Sequence, residues 1–539
     1  MANNQLKKMY CTVLGAFLLC NHSWAQPNTA WVATQTQATR VPTTLMAPLA
    51  AQPGMPIQIT VALKLRNRDQ LDRQIAQMRT DPAHTQHLTQ AAFLQRHAPQ
   101  DSQVAQVVRY LQQQGFRNIQ VADNRLLIRA EGTADSASHA FNTPIRLFTQ
   151  NGQTRFANTQ AAQVPASLGG TVLAVLGLQN VHKAHIMAQR ADPATFGSST
   201  AGHDPYTFSA IYNGSKAPTA AQATIGIIAQ GDLTQTLADL QAFQQQHQMN
   251  VPVNVIQTGT PSSDTSGMAE WNMDSQSSLG AAGGEAKQLL FYVAPTLDND
   301  ALTAAFNQAV SDNQAQAINV SLGECEVDAQ NDGSAAAEDQ IFQTAMAQGQ
   351  TFSVSSGDSG SDECGDGGTN QSYPAVSPYV IAVGGTTLTT DRKDRYHSES
   401  TWSGGGGGPS STETAPDWQA KSGVLGSSTQ RGAPDVSFDG DPKSGAQVLI
   451  SGDQQLWGGT SLSAPIFTGI WARMQSLSNN QAGFAGDWIY RLGKNKTKVF
   501  HDITTGNNGA FKAKKGWDYA TGWGSIDIAA MAKAVQQGK

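Results

Sequence analysis

Six short apolar segments with helical stretches between them occupy the second half of the chain and restrict its fold. The segments are TIGIIAQG, VNVIQTG, KQLLFYVAP, AQAINVSLG, TFSVSSG and YVIAVGG. Stretches with helical spacing, such as LTQTLADLQAFQQQHQ and NDALTAAFNQAV, separate several of them. Apolar strands joined by crossover helices are typical of a parallel sheet that is buried on both faces. We therefore predict a doubly wound, mostly parallel α/β domain, in which active sites gather where strands end.

The first half has a different pattern. Residues 57–67 alternate like a strand, and residues 69–80 and 101–115 have helical spacing. Two further strands, a short helix and a hairpin follow. The repeated strand–helix–strand order predicts a small ferredoxin-like α+β domain. Residues 183–205 lose this periodicity and are predicted to form an exposed linker.

Residues 1–25 have the features of a secretory signal peptide. Lys7 and Lys8 precede a short apolar core, and Ser23-Trp24-Ala25 offers small residues at the two positions that determine cleavage. The core is too short to span a membrane stably, and no later apolar stretch is long enough to do so. We expect a secreted, soluble protein that is not bound to a membrane; a retained anchor is the alternative.

Four cysteines are present, and two of them lie in the signal peptide. The remaining pair, Cys325 and Cys364, is an even number in an exported chain, which favours one disulfide over two free thiols. No cluster of His or Cys accompanies this pair, so a metal site is not expected there.

Charge is divided unevenly between the two halves. Residues 1–190 carry 17 Lys and Arg against 7 Asp and Glu, whereas residues 191–539 carry 18 against 34. The first half could dock on the second by an attraction that weakens as carboxylates protonate in acid, or each half simply has its own surface charge. No basic patch with interleaved aromatic residues indicates binding to nucleic acid.

The segment GGTSLSAP contains a candidate nucleophile, Ser461. Small residues ahead of the serine permit a sharp turn, and an apolar, helix-like run follows it. The positive end of such a helix would stabilise an oxyanion that develops near the hydroxyl. A plain helix cap with a proline in the first turn is the alternative.

A serine nucleophile needs a base, and the histidines of the second half are poorly placed to provide one. His203 lies in the predicted linker, His247 at a polar helix end, His397 in a charged segment and His501 in a loop. None has the His-Gly-Thr setting of a subtilisin base. We therefore expect all four to be structural or solvated.

Three carboxyl groups are the other candidates. Glu270 and Asp274 are four residues apart in AEWNMDSQSS, so a helix places both on one face. A close carboxyl pair shares a proton and can act as general base and acid at low pH; two solvated charges are the alternative. Asp358 follows a predicted buried strand in SVSSGDSG, where a loop cap or turn residue is the alternative.

Together, GGTSLSAP, EWNMD and SSGDSG resemble the corresponding motifs of the sedolisins, the serine-carboxyl peptidases. Similar segments occur at 321–323, 373–388, 431–437 and 501–509, so that the resemblance covers most of residues 57–527. It implies a subtilisin-like catalytic domain over residues 191–539 and a kumamolisin-type propeptide over residues 26–190.

The resemblance also implies roles for the candidate residues. Ser461 would be the nucleophile, Glu270 the general base, and Asp274 the residue that orients Glu270 and shares its proton. Asp358 would stand where subtilisins have an oxyanion-hole Asn. Because a carboxylate would repel an oxyanion, Asp358 must be protonated to donate a hydrogen bond, which predicts an acidic pH optimum.

A calcium site near the C-terminus is implied as well. Asp502 and Asp518 would supply carboxylate oxygens, and Ile503, Lys514 and Gly516 would supply main-chain carbonyl oxygens, which suit one structural Ca²⁺. Lys514 stands where the family usually has Gly, but a carbonyl ligand does not require Gly. A loop without metal is the alternative.

These inferences lead to one expected function. The chain would be a secreted, monomeric acid endopeptidase that cleaves proteins and peptides. It would be made as an autoactivating proenzyme whose basic propeptide covers the cleft until cleavage within residues 183–205. The alternatives are a tripeptidyl-peptidase and a catalytically silent binding protein, although all four catalytic candidates are present.

Overall fold

The computed structural model describes residues 30–41, 49–80, 86–150, 152–191, 202–495 and 498–538. The predicted signal peptide lies outside these residues. Within the described part of the chain, no helix has both the length and the apolar character needed to cross a bilayer.

The N-terminal domain contains nine strands and four helices within the described residues. The strands are β1 (Trp31–Ala33), β2 (Leu49–Ala50), β3 (Pro56–Leu63), β4 (Arg117–Val121), β5 (Leu127–Thr133), β6 (Ile145–Gln150), β7 (Gln153–Asn158), β8 (Gln163–Pro165) and β9 (Val172–Leu176). The helices are α1 (Arg68–Thr80), α2 (Gln90–Arg96), α3 (Asp101–Gln113) and α4 (Ala134–Ala140).

The main sheet of this domain has the strand order β4-β5-β3-β9, and all its pairs are antiparallel. With α3 and α4 as crossovers, this is the ferredoxin-like arrangement that the sequence predicts. Val104, Val107 and Leu111 recur at helical spacing on α3 and pack against Ile59 and Val61 of β3. The periodicity of α3 therefore places its apolar side on the sheet.

The strands that follow are β10 (His185–Ile186), β11 (Gln189–Arg190), β12 (Ala220–Gln230), β13 (Val253–Gln257), β14 (Ala286–Ala294), β15 (Ala317–Val320), β16 (Leu322–Cys325), β17 (Thr351–Ser355), β18 (Ser372–Tyr373), β19 (Ile381–Thr390), β20 (Tyr396–Thr401), β21 (Gly408–Thr414), β22 (Gln430–Ala433), β23 (Val436–Asp439), β24 (Ala446–Ile450), β25 (Asp453–Gly458), β26 (Phe500–His501) and β27 (Ser525–Ile526). The helices are α5 (Phe208–Ile211), α6 (Thr234–Gln246), α7 (Met268–Ala281), α8 (Asn299–Asp312), α9 (Glu326–Asp332), α10 (Ser334–Ala347), α11 (Asp417–Ala420), α12 (Thr460–Leu477), α13 (Ala485–Lys494) and α14 (Ile528–Gln536).

An eight-stranded sheet with the order β13-β14-β12-β15-β17-β19-β20 forms the centre of this second domain, and β23 also pairs with β19. Every pair is parallel except β19–β20. All six apolar segments form strands of this sheet, which confirms the predicted α/β domain. Helices α7 and α12 pack against each other, and α12 crosses the middle of the sheet.

The N-terminal domain packs against α8 and α10. Gln58 Nε2 donates to Asp300 Oδ2 at 3.2 Å, and Asn124 Nδ2 donates to Asn307 Oδ1 at 2.6 Å. The N–H of Leu65 donates to Gln340 Oε1 at 2.9 Å. The interface between the two domains thus includes hydrogen bonds between uncharged groups as well as a bond to the carboxyl group of Asp300.

The prediction of an exposed linker is only partly right for residues 183–191, where Lys183, His185, Gln189 and Arg190 are exposed. Ala184, Met187 and Ala191 are buried, because this segment crosses the second domain as the short strands β10 and β11. Residues 192–201 lie outside the described part of the chain. At 203, the chain is held by a backbone bond from His203 to the Gly445 carbonyl.

Candidate active site

Ser461 is the second residue of α12, directly after a turn that requires glycine. Gly459 has φ 104°, and a Cβ there would lie 2.1 Å from the Met187 carbonyl oxygen and 2.6 Å from Asp358 Oδ2. A larger residue would therefore push the linker away from the serine. At the start of α12 the N–H of Thr460 donates to Asp358, so the positive end of the helix lies beside the same group of residues.

The serine hydroxyl contacts a carboxyl group and no imidazole. Ser461 Oγ donates to Glu270 Oε2 at 2.9 Å, and both residues are fully buried. The four histidines have contacts elsewhere. His203 is 3.5 Å from Asp394 and His247 is 3.2 Å from Asp204, while His501 stacks on Tyr396 and His397 is exposed.

Helix α7 carries Glu270 and Asp274 on one side, as their spacing predicts. The helix is buried from Glu270 through Ala281 although many of its residues are polar. Neighbouring segments satisfy some of these polar groups: Asn272 Nδ2 donates to Asp239 Oδ2 at 2.8 Å, and Trp271 Nε1 donates to the Gln230 carbonyl at 2.8 Å. The alternative of two solvated charges is therefore wrong.

Asp274 is held by a strand of the parallel sheet. Ser321 Oγ donates to Asp274 Oδ1 at 2.6 Å, and Asn319 Nδ2 donates to Ser321 Oγ at 2.9 Å. Glu270 Oε1 and Asp274 Oδ2 are buried and have no hydrogen-bond partner among the described atoms. One proton held between the two carboxyl groups would satisfy both of these oxygens.

Burial and mutual repulsion favour that proton. Burial raises the pKa of Glu270 well above its usual range, and the charge of Asp274 raises it further. Burial likewise raises the pKa of Asp274, although hydrogen bonds from Ser321 and Asn319 oppose the shift. The pair therefore keeps one proton up to a higher pH than an isolated carboxyl group would.

Asp358 lies in the loop after β17 and faces the start of α12. The N–H and the Oγ1 of Thr460 donate to Asp358 Oδ1 at 2.7 Å and 2.8 Å. Asp358 Oδ2 is enclosed and has no hydrogen-bond partner in the described structure, although the residue is partly exposed. Burial raises the pKa of Asp358 to about 7, so Oδ2 carries a proton in acid.

The linker lies across these residues like an extended substrate. On one side His185 and Ile186 pair antiparallel with Gly323 and Leu322. On the other side β11 pairs antiparallel with the end of β25.

The Met187–Ala188 bond lies between these two pairings. The Met187 carbonyl oxygen is next to Gly459, and the N–H of Ala188 is close enough to Glu270 to oppose the rise in its pKa. Both atoms of this peptide bond therefore face the candidate residues.

The predicted disulfide is present. Cys325 and Cys364 are bonded, with Cα atoms 4.8 Å apart. The bond joins the end of β16 to the loop that follows Asp358. It therefore ties together two segments that border the serine.

The residues proposed to hold calcium converge on one loop. Asp502 accepts from the N–H of Gly516 at 3.0 Å, and Asp518 Oδ2 accepts from the N–H of Lys514 at 2.8 Å. Lys514 is exposed, so its ammonium group can remain in solvent. Two carboxylates beside one short backbone segment form an all-oxygen donor set that fits Ca²⁺.

No three described His, Cys, Asp or Glu side chains are grouped to hold a metal. Calcium at the Asp502–Asp518 loop would therefore depend on the main-chain carbonyls of Ile503, Lys514 and Gly516.

Sequence reasoning missed the residues that position the carboxyl groups. Asn319 and Ser321 were recognised only as part of a strand and of SLG, and Thr460 only as part of the serine motif. Two polar residues, Asn319 and Ser321, at alternate positions near the end of an otherwise apolar parallel strand are the signal that could have identified them.

Comparisons with known proteins agree with this geometry. The family described as Pro-kumamolisin, activation domain, matches residues 49–181, and the subtilase family matches residues 282–524. The second range includes Asp358 and Ser461 but begins after Glu270 and Asp274. The shared scaffold is thus that of the subtilases, and the carboxyl pair lies outside the matched part.

Two relatives match nearly the whole chain. Sedolisin of Pseudomonas sp. (strain 101) is 46% identical over 94% of this chain and 93% of its own length. Xanthomonalisin of Xanthomonas sp. (strain T-22) is 38% identical over 97% of this chain and 74% of its own length.

A solved structure matches as well. Pseudomonas sedolisin, a serine-carboxyl proteinase complexed with two molecules of pseudo-iodotyrostatin, is 47% identical with a TM-score of 0.61, covering 63% of this chain and 99% of that one. The chain belongs to the sedolisin family of serine-carboxyl peptidases and carries a kumamolisin-type propeptide.

Proposed function

We propose that this peptidase is an acid-active endopeptidase that uses Ser461, Glu270 and Asp274 as its catalytic triad. The observation that carries the proposal is the 2.9 Å hydrogen bond from Ser461 to the buried Glu270, which shares its surroundings with Asp274. Asp358 is the proposed oxyanion donor.

In the proposed mechanism, Glu270 accepts the proton of Ser461 Oγ as the hydroxyl attacks the carbonyl carbon of the substrate. Asp274 keeps the second proton of the pair and holds Glu270 in place. Protonated Asp358 donates to the oxyanion. Glu270 then gives its proton to the leaving amine, and water releases the acyl group by the same steps in reverse order.

The acid requirement has two sources. Asp358 can donate only while it is protonated, and burial raises its pKa to about 7. The Glu270–Asp274 pair needs one proton between its two members. We expect activity to fall as the pH rises through the pKa of Asp358.

The linker is the proposed first substrate. We infer that Ser461 cleaves its own chain between Met187 and Ala188, since that bond lies between the two antiparallel pairings. This position is within the predicted interval of residues 183–205. An endopeptidase is favoured over a tripeptidyl-peptidase because the chain continues on both sides of the bond, to Ala184 on one side and Ala191 on the other.

Export and calcium are part of the proposal. The signal-like residues 1–25 and the Cys325–Cys364 disulfide support secretion. Asp502 and Asp518, with the carbonyls of Ile503, Lys514 and Gly516, would hold one Ca²⁺. When bound, the ion would supply only rigidity to this loop.

The test is incubation of purified proenzyme at pH 3–4 and at pH 7, beside a Ser461→Ala variant, with intact mass measured over time. We expect a fragment that ends at Met187, and casein cleavage, only in acid and only with Ser461. Equal processing of the variant would refute autocatalysis. No cleavage of linker or casein at any pH would favour a silent binding protein.

A further inference from the structure

His87 is where the propeptide reaches into the catalytic domain, just ahead of α2. The next residue, Leu88, is buried, and its N–H donates to the Ala347 carbonyl at 2.8 Å. The imidazole lies against Gly349 and Gly483. A Cβ on these glycines would be 2.4 Å and 3.3 Å from atoms of the ring. A bare backbone surface therefore receives this ring, and a side chain at 349 would collide with it.

Among the described residues, no carboxylate pairs with this imidazole. Residues 346–350 and 481–484 of the catalytic domain contain no charged side chain. The carboxylates bordering the adjoining cavity are Asp487, which is bonded to Arg79, and Asp417, which is bonded to Lys421. The other charged side chains that the structure describes around this cavity and the one beside it are cations, namely Arg73, Arg96 and Arg491.

An imidazolium in this position would lose hydration without gaining a counter-ion. Burial accordingly lowers the pKa of His87. A group whose pKa falls on binding is neutral in the contact, and the free form binds more protons. The contact therefore has its full stability above the ordinary pKa of histidine and weakens as the pH falls from there toward the depressed pKa.

We propose that His87 is a pH-sensitive latch, whose protonation loosens the propeptide from the surface around Gly349 and Gly483. This regulatory step rests on the proposed function, because it matters only if the covered site is an acid peptidase. Protonation of His87 would expose the cleft in the same acidic range in which Glu270, Asp274 and Asp358 hold the protons needed for catalysis.

A second interface histidine behaves in the opposite way. His182 lies 3.1 Å from Asp328 of α9. Burial lowers the pKa of His182, but hydrogen bonds to Asp328 and to the Arg40 carbonyl outweigh it, so that the net shift is upward. Its charge holds the contact together in mild acid. The opening step is therefore specific to the His87 end of the interface.

The test is hydrogen exchange of the full-length Ser461→Ala protein from pH 4 to pH 8, corrected for the intrinsic pH dependence of exchange. We expect segments 86–96 and 346–350 to lose protection as the pH falls. Protonation of one histidine contributes up to about tenfold in the opening constant per pH unit. His87→Gln should remove that contribution, and His87→Lys should open the segments already at pH 7.

His139→Gln is the matched control, because this histidine of the same domain has a side chain that is 73% exposed. It should leave the opening unchanged. If His87→Gln does not fold, as judged by thermal unfolding at pH 7, His87→Phe keeps an uncharged ring on the glycines and replaces it.

The proposal is overturned if a non-titrating variant opens with the parent's pH dependence, or if His87→Lys is as protected as the parent at pH 7. The Ser461→Ala background needs no peptidase activity. If the propeptide contact opens in acid but the parent protein never cleaves its linker, the proposed function is contradicted and the proposal for His87 is not.

Discussion

Asp435 and Asp274 are both fully buried in the catalytic domain, yet their surroundings differ in kind. Arg431 donates to both oxygens of Asp435, at 2.9 Å and 2.6 Å, and Tyr490 and the Ala382 N–H complete the set. Asp274 has no cation, leaves one oxygen unpartnered, and faces a second carboxyl group.

The difference shows what each environment requires. A buried carboxylate can stay ionised where the fold supplies an arginine with two aligned donors. Where the fold supplies another carboxyl group, one of the two must keep a proton. The catalytic domain can therefore bury an ion pair at Asp435. Beside Ser461 it buries two carboxyl groups that share a proton.

The largest expected effect is on the Glu270 side of this comparison. Glu270→Gln keeps the shape of the side chain but cannot accept the serine proton. We expect the rate at which the fragment ending at Met187 forms to fall at least about 10³-fold at every pH. Intact mass spectrometry of timed samples measures this rate. A loss of less than about tenfold would contradict the role of Glu270 as the base.

Removing the charge of Asp435 should reduce stability. Asp435→Asn leaves Arg431 buried without its counter-ion, which we expect to lower the free energy of unfolding by about 3–5 kcal/mol. Thermal and denaturant unfolding in the Ser461→Ala background measure this change. Asp274→Asn, at the same burial, should cost no stability at pH 7, and a comparable loss there would break the comparison.

Calcium would be a third way of compensating acid groups, here the exposed Asp502 and the buried Asp518. If Asp502 and Asp518 hold the ion, free calcium at about 100 times its Kd should stabilise the folded chain by about 2.7 kcal/mol. Chelation should lower Tm, and Asp502→Ala should make Tm insensitive to added calcium. A parent Tm that does not change on chelation would argue against the site.

The smallest expected effect is the pH dependence of stability. Burial raises the pKa of Asp300 and of Asp339 to about 6. Burial also raises the pKa of Asp274 well above its usual range. A raised pKa in the folded state gives stability that is complete below the unfolded pKa of about 4 and is lost as the pH rises through the folded value. The Ser461→Ala protein should therefore unfold at a lower temperature at pH 7.5 than at pH 5.

Much of the fold could be predicted because most strands of the main sheet are largely apolar, a composition that burial on both faces of a parallel sheet explains. The edge strand β13 is the exception, since it contains two polar residues and an exposed Val255. Strand β23 was missed because its four residues, VSFD, are short and half polar. Helix α2 was missed for a similar reason, since only Phe93 is buried in it.

The site could be predicted only in part. The spacing of Glu270 and Asp274 placed them on one side of a helix, but the burial of that helix depends on segments distant in sequence. Its Asn272, for example, donates to Asp239 and to the Leu449 carbonyl. The linker has no periodicity because the cleft, rather than its own sequence, determines its conformation. Local sequence cannot report contacts that the second domain supplies.

The pH dependence of linker cleavage tests the central claim, that Ser461 works with carboxyl groups that hold protons. The measurement follows the appearance of the fragment ending at Met187 between pH 3 and pH 8, in the parent and in Asp358→Asn. Burial raises the pKa of Asp358 to about 7, so the parent rate should fall as the pH rises toward that value and beyond. The amide of the variant can donate at every pH. Its cleavage rate should therefore not show the fall that ionisation of Asp358 causes in the parent. A parent rate that increases toward neutral pH would contradict the account.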